Sequence, residues 1–373
     1  MKIVIIGPIY PYRGGISHYT AMLTQAFTKA DHQVEVISFR RQYPPWFYPG
    51  SSDKDPSLIH LSTQGHFLLD PFLPWTWHQV ANEISASKPD VVIIQWWTTF
   101  WAIPYAILGT WLKRSGLRLV FMIHNVIPHE PRPWDPWLAK QALSKGYAFI
   151  TQTEYEKAQL LALLPNSVVQ VCAHPIYQMF HFNNPSKSEA RTRLLLSEDK
   201  FLLLFFGLVR PYKGLKQLLQ ALSLLQIQGI MPHLMVAGEF WEDQQRYQNL
   251  IDQLGLAAQV NLENRYIPDE EIEYFFSAAD CLVAAYVSGT QSGVVNIAAS
   301  FGLPMIVTDL VAQGIADENR HLLRAIVPAG DVHALAKAIQ QSVESPAFQS
   351  HSPNIVRDNW GDLVQMIIGV LSQ

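Results

Sequence analysis

What most constrains this chain is a recurring order: a short apolar run, a loop, then an amphipathic stretch at helical spacing, repeated along most of its length. Neighbouring parallel strands need a crossover between them, and strands covered on both faces read as continuous apolar runs, so this alternation predicts parallel α/β sheets. KIVIIG (2–7) opens the series. A glycine-containing loop follows, and Tyr19, Met22, Leu23, Ala26 and Phe27 then recur on one helical face. VEVISF, DVVIIQ, RLVFMIH and YAFITQ supply further strands. From about residue 181 the text turns polar (HFNNPSKSEARTR) and reads as an interdomain segment.

A cleaner series begins beyond it: FLLLFFG (201–207), HLMVAG (233–238), QVNLEN (259–264), CLVAAY (281–286), MIVTD (305–309) and AIVPAG (325–330). Leu215, Leu218, Leu219, Leu222 and Leu225 form one helical stripe. Ile272, Phe275, Phe276 and Ala279 form another, opened by Pro268 and a capping Asp269, and Asp331 is expected to cap a third helix. The expected architecture is two Rossmann-like domains, over 1–180 and 186–352, with a last helix in 356–373 packing back toward the first. A length of 373 residues accommodates both.

Composition removes several classes of function. The 49% hydrophobic content excludes disorder, a net charge of −4 gives no nucleic-acid signature, and two cysteines make neither a disulfide framework nor a cysteine metal site. A reducing, cytoplasmic setting is expected, extending to the inner face of a membrane. Residues 91–112 carry no charge and are long enough to span a bilayer, but Asp90 followed by VVIIQ reads as a buried strand, and Thr98, Thr99, Pro104 and Gly109 interrupt any apolar helix. Charge and tryptophan are both skewed. Residues 1–150 hold 13 Lys and Arg against 9 Asp and Glu, the remainder 14 against 22, and nine of the eleven tryptophans precede residue 138. A basic, tryptophan-rich first domain is suited to an anionic membrane surface. The alternative is that its rings line core and cleft.

Chemistry concentrates in the loops after strands, where open α/β sheets bind ligands. GLVRPYKG places Arg210 and Lys213 directly before a helix N-terminus, an arrangement suited to phosphate, with Gly207 at the strand end. Ser288, Gly289, Thr290, Gln291, Ser292 and Gly293 form a small hydroxylic turn whose amides and hydroxyls can cradle a pyrophosphate. The structural alternative is that Thr290 or Ser292 caps a core helix. In the first domain, Gly14 and Gly15 let a ligand approach the backbone, and His124 sits at a strand end; His18, His129, Glu130 and His174 lie nearby with weaker claims. No GxGxxG and no P-loop are present. Asp53-Lys54-Asp55 has the DxD form of metal-dependent sugar transferases of another fold but lies in a loop, so no metal and no cofactor is expected.

The order of these motifs resembles the retaining glycosyltransferases of family 4, which have the two-Rossmann GT-B architecture. GPIYPYRGG, IHN (123–125), FFGLVRPYKGLKQLLQAL (205–222), VAGEF (236–240), YIPDEEIEYFFSAADCLVAAY (266–286) and SGTQSGVVNIAASFGLPMIVTD (288–309) carry the likeness. It implies a nucleotide-sugar donor held mainly by the second domain, a glycan or lipid-linked acceptor held by the first, and a cleft between them. Arg210 and Lys213 would neutralise the departing nucleoside diphosphate, Gly15 would back it, His124 would line the sugar pocket, and Glu239 and Tyr266 would lie near the nucleotide. The departing phosphate can itself take the acceptor proton, so no protein nucleophile is required. Many relatives carry two glutamates eight residues apart where this chain has Gly289 and Ile297, and often Gly-Gly where it has Val311-Ala312-Gln313-Gly314. Either the Thr290-Gln291-Ser292 turn substitutes for the carboxylates or donor binding is weakened. A silent sugar-nucleotide-binding protein and a nucleotide-sugar epimerase are therefore the alternatives to a transferase.

Overall fold

A computed structural model describes the whole chain except residues 45, 47, 49, 60, 62, 129, 291, 346–358 and 373. It divides into two compact units, one of Met1–Asp55, Leu61–Pro175 and Asn359–Gln373, the other of Pro56–His60 and Ile176–Asp358.

In the first unit, strands β1 (Lys2–Ile6), β2 (Gln33–Phe39), β3 (His66–Leu69), β4 (Val91–Trp96), β5 (Leu119–Ile123), β6 (Ala148–Thr151) and β7 (Val169–Val171) form one parallel sheet ordered β3-β2-β1-β4-β5-β6-β7. Helices α1 (Gly15–Lys29), α2 (Pro74–Ser87), α3 (Ala102–Arg114), α4 (Asp135–Leu143) and α5 (Glu154–Leu163) cross between strands. Every residue of β4 and β5 is buried, as expected of central strands covered on both faces. β3 and β7 did not show in the sequence because edge strands of three or four half-covered residues lack a continuous apolar run. The stretch 91–112 resolves into β4, a single 3₁₀ turn (Thr99–Trp101) and most of α3, and no helix among the described residues is long and apolar enough to cross a membrane.

The C-terminal helix Trp360–Leu371 belongs to this first unit. It buries Leu363, Val364, Ile367 and Val370, sets the Trp360 ring 4.9 Å from Tyr19 of α1, and receives a hydrogen bond from Arg118 at the Leu371 carbonyl. A helix with this apolar stripe has to cover a core face, and α1 provides one.

The second unit carries β8 (Leu202–Phe206), β9 (His233–Ala237), β10 (Val260–Glu263), β11 (Cys281–Ala284), β12 (Met305–Thr308) and β13 (Leu323–Val327) in a parallel sheet ordered β10-β9-β8-β11-β12-β13. Helices α6 (Lys187–Arg193), α7 (Leu215–Ile227), α8 (Gln244–Gln253), α9 (Asp269–Ala278), α10 (Gly293–Ser300), α11 (Asp309–Ala312) and α12 (Val332–Glu344) accompany it. The five leucines expected on one stripe of α7 are all buried.

Two local readings change. The polar segment after residue 181 lies inside this unit rather than outside it. Ser186 and Glu189 form a reciprocal capping box that starts α6, and buried Arg191 donates to Asp280 at 2.7 Å and to the Ala278 carbonyl at 3.0 Å. Buried Glu273 accepts hydrogen bonds from the amides of Phe182, Asn183 and Asn184. Its polarity reflects a satisfied network. Asp269 is the first residue of α9 and not its cap, and its amide donates to the Ser57 hydroxyl at 2.8 Å, so residues 56–60 go with this unit. Asp331 does cap α12, accepting from the Ala334 amide at 2.9 Å.

Candidate functional site

The strand order of the second unit decides where its chemistry sits. From β8 the chain moves outward through β9 to β10, then returns to the other side of β8 and continues through β11, β12 and β13. The loops after β8 and β11 therefore part in opposite directions and leave a crevice at the strand ends, the topological switch point at which open α/β sheets bind ligands. GLVRPYKG follows β8 and the Ser288–Gly293 turn follows β11, so both predicted anion-binding segments fall on this one crevice.

Hydrogen bonds fix the loops there. The Val287 amide donates to the Tyr212 carbonyl at 2.7 Å, joining the two segments, while the Val209 and Trp241 amides exchange bonds with the Glu239 and Val209 carbonyls at 2.9 and 3.0 Å. Gly207 lies at the bottom: a Cβ there would stand 3.1 Å from Lys213 Nζ and 3.3 Å from Val294 at the start of α10. Lys213 is buried, with its ammonium 5.7 Å from the centre of the Tyr286 ring, and among the described residues it makes no hydrogen bond or ion pair. Burial first, and the neighbouring charge of Arg210 second, lower its pKa to about 7. The Arg210 guanidinium lies over the rings of Tyr212 (5.5 Å) and Trp241 (5.6 Å), whose indole N–H donates to buried Glu239 at 2.9 Å. Two cations thus share a crevice walled by aromatic rings, where an incoming anion would be attracted with little screening.

The hydroxylic turn is more specific than its sequence indicated. Ser292 precedes α10 in the N-cap position, yet its hydroxyl pairs with Tyr286 Oη at 2.9 Å and makes no cap bond. The capping alternative for Ser292 is thereby removed, and the first amides of α10 have no side-chain cap. Thr290 is buried with its Oγ1 unpartnered among the described residues. Gly293 begins α10; Gln291 lies outside the described residues. Gly289 has a φ of +87° and Ile297 is buried in α10, so neither position offers a carboxylate. Tyr266 is half-buried after β10, two strands from β8, and no distance places it against the two cations. Sequence reasoning missed the aromatic supports, Tyr212, Trp241 and Tyr286. Their only signal was proximity to strand ends.

In the first unit the reversal of strand order falls between β1 and β4. Gly14 ends the loop that follows β1 and Gly15 opens α1: Gly14 has a φ of +104° and a Cβ on it would meet nothing within 4 Å, and Gly15 is exposed. His124 follows β5 and is buried, with Nε2 2.6 Å from Gln95 Oε1 and Nδ1 3.3 Å from Gln152 Nε2. These partners assign the proton to Nε2. Burial, then the nearby His174, lower its pKa to about 3. His124 is a neutral imidazole with both nitrogens occupied and is not poised to donate a proton. Tyr19 packs edge-on against both histidines, and His174 bonds the Pro175 carbonyl at 2.5 Å. Buried Glu156, unforeseen from sequence, accepts from the Val126 amide at 2.8 Å and holds the loop after β5. Asp53-Lys54-Asp55 is knitted to the loop after β1: the Asp53 carbonyl accepts from the Arg13 amide at 3.1 Å, and the Lys54 ammonium lies 3.3 Å over the Tyr12 ring.

Two parallel α/β units, each with a reversal of strand order, define the GT-B architecture. The particular family follows from comparison. Residues 186–358 match Glycosyl transferases group 1 and residues 14–175 match the Glycosyl transferase 4-like domain, so the chain belongs to the group 1 glycosyl transferases, a family of transferase enzymes. The D-inositol 3-phosphate glycosyltransferase 1 of Catenulispora acidiphila is 27% identical over 261 residues, covering 64% of this chain and 62% of that protein. The match thus spans less than two thirds of this relative's length. Among solved structures, HepE of Anabaena in complex with UDP-glucose superposes with a TM-score of 0.71 at 16% identity, covering 100% of this chain and 99% of that one. Sucrose-phosphate synthase from Thermosynechococcus elongatus gives 0.67 at 19%, covering 100% and 96%. At these identities the structures establish the fold.

Proposed function

We propose that the chain transfers a sugar from a nucleoside-diphosphate sugar to a glycan or lipid-linked acceptor, with retention of anomeric configuration and without a metal ion. The observation that carries this reading is Lys213, a buried ammonium with no anionic partner among the described residues, held beside Arg210 and the uncapped start of α10. A buried cation without a counter-charge is costly unless an anion completes it, and a diphosphate does so. As the bond from the anomeric carbon to the phosphate oxygen breaks, charge grows on that oxygen, and Lys213 and Arg210 stabilise it more in the transition state than in the ground state. The same oxygen then accepts the proton of the acceptor hydroxyl attacking from the same face, which preserves the configuration. No metal is needed because the two cations and the helix amides provide the positive charge. Gly14 and Gly15 offer the ligand bare backbone, and His124 acts as a neutral wall. That HepE was solved in complex with UDP and with UDP-glucose, and starch synthase IV bound to ADP, supports a nucleotide ligand for this fold.

The test is incubation of the purified chain with radiolabelled UDP- and GDP-sugars in chelator. Slow release of nucleoside diphosphate with one donor is expected, and conversion of the donor to an epimer would identify the epimerase instead. A second reading, a silent sugar-nucleotide-binding protein, is favoured by Gly289 and Ile297. Nucleotide binding without turnover would establish it, and neither binding nor turnover would remove both readings.

Protonation gives an independent check. Bound diphosphate pairs with the charged form of Lys213 and raises its pKa from about 7. Binding of UDP or GDP at pH 8 should therefore take up close to one proton, and affinity should fall as pH rises above 7. Titration calorimetry in buffers of different ionisation enthalpy measures this uptake. Identical observed heats in all the buffers would show that no proton is taken up and that Lys213 does not meet the nucleotide.

A further inference from the structure

Four tryptophans are strongly exposed, Trp46 (81%), Trp75 (65%), Trp137 (60%) and Trp134 (54%), and all four lie along one edge of the first unit's sheet. Each is on chain that has left the C-terminal end of a parallel strand: Trp46 after β2, Trp75 at the start of α2 after β3, and Trp134 and Trp137 around the start of α4 after β5. Phe72, just before α2, and Ile103, in the first turn of α3, are exposed on the same edge. α3 packs against both α2 and α4, so the three helix starts stand side by side. No strongly exposed tryptophan occurs at the opposite edge among the described residues.

The charges around these rings are sorted. The Arg41 guanidinium lies 5.6 Å from the Phe72 ring and that of Arg132 5.8 Å from the Trp134 ring. The carboxylates beside them turn inward: buried Asp70 is ion-paired to Arg41 at 2.8 Å, and buried Asp135 accepts from the Thr99 hydroxyl at 2.5 Å and the Arg132 amide at 2.7 Å. Glu130 is the exposed carboxylate of this segment. The indoles and the Arg132 guanidinium thus face outward from separate loops, while half-buried Arg41 is held by Asp70. Tryptophan has an apolar body and one N–H, which suits it to the headgroup layer of a bilayer, and arginine beside it complements lipid phosphate.

We propose that this edge of the first unit docks on an anionic phospholipid bilayer, with the indoles at headgroup depth. The transferase reading enters only in what docking delivers: ligands of parallel sheets bind at these same strand ends, so a membrane-borne acceptor would arrive at the edge that binds it.

The experiment uses the full chain with phosphatidylcholine vesicles, with and without about one-third phosphatidylglycerol, followed by sedimentation and tryptophan emission. Co-sedimentation with the anionic vesicles and a blue-shifted emission are expected. The combined Trp75→Ser, Trp134→Ser, Trp137→Ser variant, exposed at all three positions and checked for an unchanged melting curve, should partition roughly a hundredfold more weakly while UDP binding and donor hydrolysis stay as in the parent. Failure of the parent to bind anionic vesicles, or equal binding by the variant, overturns docking and leaves the transferase reading standing. Vesicle binding without any donor hydrolysis would do the reverse. Lipid-free self-association abolished by the same substitutions would assign the edge to a second copy of the chain and overturn the proposal.

Discussion

Lys213→Met is expected to raise the melting temperature of the ligand-free chain while lowering donor turnover by roughly 10²–10³-fold. Methionine keeps the length and apolar stem of lysine, so the contacts around Gly207 and Tyr286 persist, but the ammonium is gone. The parent bears a stability cost because its buried charge has neither counter-ion nor hydrogen bond among the described residues. The sign follows from the titration. With a folded pKa of about 7, below the usual lysine value of 10.5, the folded chain holds fewer protons than the unfolded chain between those values. This group therefore makes the parent more stable as pH rises from about 7 toward 10.5, and the penalty is greatest below 7. In the variant that slope should vanish. Turnover falls because the charge that developed opposite the breaking bond is lost. A collapse in melting temperature with unchanged activity per folded molecule would make Lys213 structural.

The second large effect is expected at Gly214, which links the cation loop to α7. Its φ is +75°, and a Cβ there would stand 1.9 Å from the carbonyl oxygen of Ala285, at the end of β11. Backbone cannot yield as a flexible side chain can, so Gly214→Ala must push the loops after β8 and β11 apart. Left-handed strain of about 1–2 kcal/mol adds to that clash. A loss of about 3–5 kcal/mol is expected, together with donor turnover, because Lys213 is the adjacent residue. Gly302→Ala is the control: φ is +62° there, but a Cβ would meet nothing within 4 Å, so the strain alone remains. Chemical denaturation of both variants measures the difference. Equal losses would mean that the approach to Ala285 costs nothing.

Much of the fold could be read before the structure because it depends on local period. Continuous apolar runs such as FLLLFF and VVIIQW, bounded by turn residues, read as central strands, and the leucine stripe of α7 suits a face against a sheet. Edge strands β3 and β7 were invisible for the converse reason. The two loops proposed to meet an anion were singled out from residue type, since cations and small hydroxylic residues before a helix start suit a phosphate. Lys213's lack of an anionic partner was not, because charge pairing depends on side chains far away in sequence. The same holds for the polar stretch after residue 181, whose members satisfy Glu273 and Asp280 some ninety positions later.

The amino-acid order by itself determined two parallel α/β series and the loops that carry their charge, because strand and helix periodicity, glycine at strand ends and the helix dipole act over a few residues. Only the tertiary structure decided that β8 and β11 are neighbours, and hence that Arg210, Lys213 and the turn at 288–293 share one crevice. It also decided that Ser292 bonds Tyr286 instead of capping α10, that His124 is neutral between two glutamines, and that the last helix packs on α1. Each of these depends on which distant segments burial brings within a few ångströms, and burial sets both the partners and the pKa.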